Sequence, residues 1–129
     1  MEPERIHAFL VYLTVTILLE TAVLFVVGRR VLRWRADGLP ARYLVVAGFT
    51  SSLATYPYLW FVLPGLTGSY LASHLIGEPL IVLVEAGIMY GVLRVPVAHA
   101  LLASTVCNAT TIVAGLVLNN WEPWRRLFS

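Results

Sequence analysis

Lysine is absent from the 129 residues, aspartate occurs once, and charged side chains make up only 12% of the chain. Soluble proteins carry roughly 25% charge, so this scarcity excludes a water-soluble globule. The single cysteine, Cys107, rules out an intrachain disulfide and reads as a small core residue within an apolar run. No Ser/His/Asp order, paired CxxC, HExxH, Walker or GxGxxG spacing occurs. Catalysis by a recognisable motif is therefore excluded.

What is present is apolar surface. Hydrophobic residues make up 59% of the chain, and its mean hydropathy is +0.80. Four apolar runs, about 7–28, 43–63, 70–93 and 98–118, each approach the roughly 20 residues a spanning helix needs. They consume most of the chain and leave no room for a soluble domain. The expected fold is all-α, one transmembrane domain over residues 1–129 built as a polytopic four-helix bundle. The first run is a retained helix, because Glu2 and Glu4 precede it, Glu20 lies within it and arginines follow it.

All nine basic residues are arginine. Five of them (Arg29, Arg30, Arg33, Arg35 and Arg42) fall between the first two runs, whereas Pro64–Ser69 holds no charge. The positive-inside rule places the 29–42 loop in the cytoplasm and both termini across the inner cell membrane. The arginines thus set topology, and no nucleic-acid partner is expected. Trp34, Trp60, Trp121 and Trp124 fall near helix ends, where indole rings favour the interface. Pro57, Pro64 and Pro79 remove backbone donors, which predicts kinks or breaks and allows a buried loop near Pro57.

The segment from Ile17 to Arg29 resembles that from Val82 to Arg94, with the same Glu-to-Arg spacing and an aromatic at the same offset. Ala47, Gly48, Ser52 and Thr55 then align with Ala103, Ser104, Asn108 and Thr111. This pattern suggests two helix-pair repeats running the same way through the membrane.

An ionisable group at bilayer depth costs about 3 kcal/mol, so each one demands an account. Glu20, Glu85, Asn108 and Ser51/Ser52 all lie roughly 12–14 Å from the cytoplasmic helix ends at 1.5 Å per residue. Tyr12, Thr16 and Glu20 line one stripe, as do Ser104, Asn108, Thr111 and Gly115 on the fourth helix. Gly48, Ser51, Ser52 and Thr55 cluster on the second, so the stripes should converge inside the bundle. Two ionised carboxylates in one apolar layer repel each other and are costly to desolvate, so the layer either holds a proton or binds a cation. Asn108 and the hydroxyls can complete the coordination, leaving the metal question open. His74 and Glu78, four residues apart, form an outer pair able to relay protons. His74 lies about 16 Å along the helix from Glu85, too far for one hydrolytic centre, so an enzyme is the weakest reading. No cofactor is expected.

The mid-helix Glu20, Thr55-x-Pro57-x-x-Trp60, Glu85-Ala86 and Asn108-Ala109 together resemble small four-helix bacterial membrane proteins of unassigned function. A Glu in the first of four helices is also similar to the small multidrug transporters, whose other motifs this chain lacks. The leading expectation is a proton- or cation-binding membrane protein for transport or channel conduction. The alternative is a non-catalytic accessory or assembly subunit in which the same layer fixes helix partners. The bilayer is the obvious partner, and four helices enclose so little space that a homo-oligomer or a membrane-protein partner is expected.

Overall fold

The computed structural model describes residues 2–34 and 38–126, which are helical with no strand among them. Helix α1 spans Pro3–Val26, with proline in its first turn and Glu4 complementing the helix dipole. It continues as a π turn over Val27–Val31 and is closed by Arg33 in the left-handed region (φ 57°). Helix α2 spans Ala41–Pro57, passes through a second π turn at Tyr58–Val62, and runs on as the short α3, Leu63–Thr67. Gly68, at φ 69°, supplies the left-handed residue that ends α3. Ser69 caps α4 (Tyr70–Leu93), its hydroxyl accepting from the Ala72 amide at 3.0 Å. Helix α5 covers Val97–Asn119 and α6 the last described turn, Glu122–Arg126.

The four long helices form a ring, α1 against α2, α2 against α4, α4 against α5 and α5 against α1. The start of α1 lies beside the ends of α2 and α5, through Arg5 to the Trp60 carbonyl and Tyr12 to Asn119. Three helical stretches are long and apolar enough to cross a membrane: Pro3–Val31, Ala72–Leu93 and Val97–Asn119. The polarity is inverted relative to a soluble bundle. Thr16, Glu20, Ser51, Ser52, Thr55, Ser73, Glu85, Ser104 and Asn108 are buried, while Leu18, Phe49, Leu83 and Val113 are exposed. Such a surface needs an apolar solvent, so this is a membrane protein with transmembrane helices.

The sequence reading requires adjustment at the prolines. No break occurs at Pro79, which lies within the continuous α4. No buried loop forms near Pro57; the chain accommodates the missing amide by widening into the π turn that follows it. Pro64 sits in the first turn of α3, and the Trp60 carbonyl four residues before it accepts from the Arg5 guanidinium at 3.2 Å instead of from a helical amide. The helical path begins at Ala41 and reaches Thr67, instead of ending at 63. The first helix likewise begins at Pro3, ahead of residue 7.

Trp34 corrects the expectation of an interfacial ring. It is fully buried, its indole Nε1 donating to His99 Nδ1 at 3.2 Å, and its ring lies over Gly28, where any Cβ would overlap it. With Leu24, Leu44, Met89, Ala100, Ala103 and Cys107 it forms the apolar core. That core occupies only the half of the bundle nearer the 29–42 connection.

Gly48 sets the approach of α1 and α2. A Cβ there would sit 2.5 Å from Thr21 Oγ1 and 3.2 Å from the Thr21 Cα, whereas Gly87 faces open space. Gly48→Val should cost about 1–3 kcal/mol of stability, as overpacked cores do. Thermal unfolding in detergent should show this for Gly48→Val and show no such loss for Gly87→Ala.

Candidate functional site

The half of the bundle opposite the apolar core contains a cavity of about 580 Å³. All four long helices line it, with Glu20, Ser52, Thr55, Glu85 and Asn108 at its inner end. Tyr12, Trp60, His74 and Asn119 line its other end, at the side of the bundle that bears the termini. Beyond the carboxyls, Leu24 and Met89, one helical turn further along α1 and α4, are fully buried and do not line the cavity.

Helix α2 holds both carboxyls. Ser52 Oγ hydrogen bonds Glu20 Oε2 of α1 at 2.5 Å, and Thr55 Oγ1 hydrogen bonds Glu85 Oε1 of α4 at 2.7 Å. From α5, Asn108 Nδ2 donates to Glu85 Oε2 at 2.7 Å and to the Ser104 carbonyl at 2.9 Å. The Cys107 thiol, beside Asn108, donates to the Glu20 carbonyl at 3.6 Å, linking α5 to α1. Glu20 and Glu85 are only 3% and 1% exposed, so these contacts replace water and do not supplement it.

The structure therefore brings Glu20, Glu85, Asn108 and Ser52 to one cavity floor. Ser51 does not join them: its buried Oγ has no hydrogen-bond partner among the described residues, and it does not line the cavity. The outer pair forms as spaced, with His74 Nδ1 3.1 Å from Glu78 Oε1, both half-buried on the cavity wall. Seven residues separate Glu78 from Glu85, about 10 Å along α4 at 1.5 Å per residue. No group of three or more metal-ligating His, Cys, Asp or Glu side chains occurs among the described residues.

Thr55 belongs to the site although its contact with Glu85 was not anticipated. Its position on the Ser51/Ser52 stripe was the available signal, since residues three apart share a helix face. At the cavity's other end, Trp124 Nε1 donates to the Tyr12 hydroxyl at 2.9 Å, which donates to Asn119 Oδ1 at 2.8 Å. Trp124 is thus tied into the bundle as well as lying near its end, while Trp121 remains 55% exposed.

No known protein family matches the chain, and neither does any curated protein or solved structure. Function must therefore be argued from the site's own chemistry.

Proposed function

We propose that the chain is a four-span membrane protein, one domain across residues 1–129, whose Glu20/Glu85/Asn108 layer binds a proton or cation in transport. The observation that carries this reading is the placement of two buried carboxyls at the inner end of a cavity that extends from them toward the end of the bundle bearing the termini. Ionisable groups at this depth are costly, and in this reading the cavity supplies an ion with a route to them from the face bearing the termini. The apolar layer beyond them favours a carrier that exposes its site alternately over a continuously open channel. In this reading Ser52 and Thr55 orient the carboxyls, and the His74–Glu78 pair, about 10 Å from Glu85 along α4, relays protons toward them.

The fourth span is the composite of α2, its π turn and α3, since α2 alone is 17 residues long. Two parallel repeats are supported by the pattern of burial and bonding. Glu20 is bonded by Ser52 of the following helix and Glu85 by Asn108 of the following helix, at aligned positions. The aligned pairs Leu24/Met89, Leu44/Ala100 and Ala47/Ala103 are all at most 1% exposed.

The reading is tested in proteoliposomes under an imposed pH or monovalent-cation gradient. The wild-type chain should carry flux, and Glu20→Gln or Glu85→Gln should reduce it to the level of protein-free vesicles. Absence of flux under every gradient would favour the second reading, an accessory or assembly subunit bound to its own copies or to another membrane protein. The interhelical bonds of Ser52, Thr55 and Asn108 support that alternative, because they would fix helix partners without any transported ion.

Topology is tested separately. We place the 29–42 segment in the cytoplasm of an inner membrane and both termini outside; Arg35 and Asp37 lie outside the described residues. A single cysteine introduced at Arg30 in a Cys107→Ser background should react with an impermeant maleimide only after cells are opened. Labelling in intact cells would reverse the orientation.

A further inference from the structure

The hydroxyls beside the two carboxyls each have two acceptors and one hydrogen. Ser52 Oγ is 2.5 Å from Glu20 Oε2 and 3.0 Å from the Gly48 carbonyl. Thr55 Oγ1 is 2.7 Å from Glu85 Oε1 and 2.9 Å from the Ser51 carbonyl. A backbone carbonyl only accepts, and a hydroxyl carries one hydrogen but accepts readily. If both carboxyls were ionised, the single hydrogen of each hydroxyl would have to be shared between two acceptors. Both contacts are made at once if the carboxyl supplies the second hydrogen: Glu O–H to hydroxyl oxygen, hydroxyl O–H to carbonyl.

The other half of Glu85 agrees. The Asn108 amide nitrogen has two hydrogens, spent on Glu85 Oε2 and the Ser104 carbonyl, so Glu85 accepts through Oε2 and is free to donate through Oε1. A metal ion would meet this nitrogen as a donor where it needs an oxygen. The groups facing the layer supply no compensating cation. They are Tyr12 from α1, Tyr56 and the hydroxyls from α2, His74 and Glu78 from α4, and Asn108 and Cys107 from α5. Among the described residues no arginine lines the cavity, and the imidazole of His74 is engaged with Glu78.

We infer that the species held in this conformation is two protons, one on Glu20 through Ser52 and the Gly48 carbonyl, the other on Glu85 through Thr55 and the Ser51 carbonyl. This rests on the reading of the layer as an ion site and names its ion. Release breaks each carboxyl O–H bond; the proton leaves to water in the cavity, the electron pair stays on the carboxylate, and the hydroxyl hydrogen turns from the carbonyl to the new anion. Each site thus records its loading in the direction of one hydroxyl.

Infrared spectroscopy of the full-length protein in lipid at neutral pH tests this. The wild type should show two hydrogen-bonded carboxylic-acid C=O bands. Glu20→Gln and Glu85→Gln should each remove one, and Glu78→Gln should remove neither. Ser52→Ala should shift the Glu20 band, and Thr55→Val the Glu85 band, toward the position of an unbonded acid, which a purely structural role would not produce. Absence of both bands in the wild type would overturn the inference, and a single band would replace it with one shared proton. Should the variants not fold, the wild-type spectrum alone still decides. Cation flux without acid bands would defeat the inference and leave the transport reading standing; two acid bands without flux would do the reverse.

Discussion

The chain carrying both Glu20→Gln and Glu85→Gln should fold, remain in the membrane and carry no ion flux at all. Glutamine has nearly the shape of a protonated glutamate, and its amide hydrogens and oxygen can meet Ser52, Thr55 and Asn108 much as the acid does. It cannot release a proton or lend a charge to a cation. Flux in proteoliposomes should therefore vanish while the unfolding temperature in detergent stays close to that of the wild type. Glu20→Leu and Asn108→Leu give the contrast. Each strips an interhelical bond and should weaken the bundle by about 1–2 kcal/mol, the range model membrane peptides give for such bonds. Undiminished flux in the double Gln variant would show that the layer only joins helices.

Trp34→Ala should be the most destabilising single truncation. The indole is wholly buried, its removal empties the space over Gly28, and that glycine has no side chain with which to refill it. Truncating a buried aromatic ring costs about 3–5 kcal/mol, transfer and cavity terms together. Trp34→Phe keeps most of the ring and loses the bond to His99, so it should cost only about 1 kcal/mol. Denaturant unfolding in mixed micelles would rank them. Equal losses for the two variants would place the energy in the Trp34–His99 bond and not in packing.

The parts of this structure that were legible in the sequence are those fixed by periodicity. Glu20, Asn108 and Ser52 meet because helical spacing put each on the polar stripe of an apolar run, and a polar stripe has nowhere to face but inward. His74 and Glu78 pair for the same reason, one turn apart on α4. The cavity was not legible, because the space between helices depends on side-chain packing that no single helix encodes. Ser51 and Thr55 show the limit of resolution: both lie on the buried face of α2, yet only Thr55 reaches a carboxyl. Trp34 failed in a different way. Its position after a helix is what an interfacial ring also has, and only the turn that folds Trp34 back onto Gly28, its amide donating to the Gly28 carbonyl at 2.7 Å, sends it inward.

The division of the bundle into an open half and a filled half has an electrical consequence. In the proposed transport reading, water entering the 580 Å³ cavity would extend the aqueous phase of one face toward Glu20 and Glu85, and little of the membrane voltage would fall along that path. Most of it would fall across the filled half that holds Leu24, Leu44, Met89 and Trp34. A charge moved across the full voltage gains about 2.3 kcal/mol per 100 mV, and nearly all of that would be spent in crossing this half. Loading the carboxyls from the cavity should thus be almost insensitive to voltage, and passing a charge beyond them should respond to it steeply.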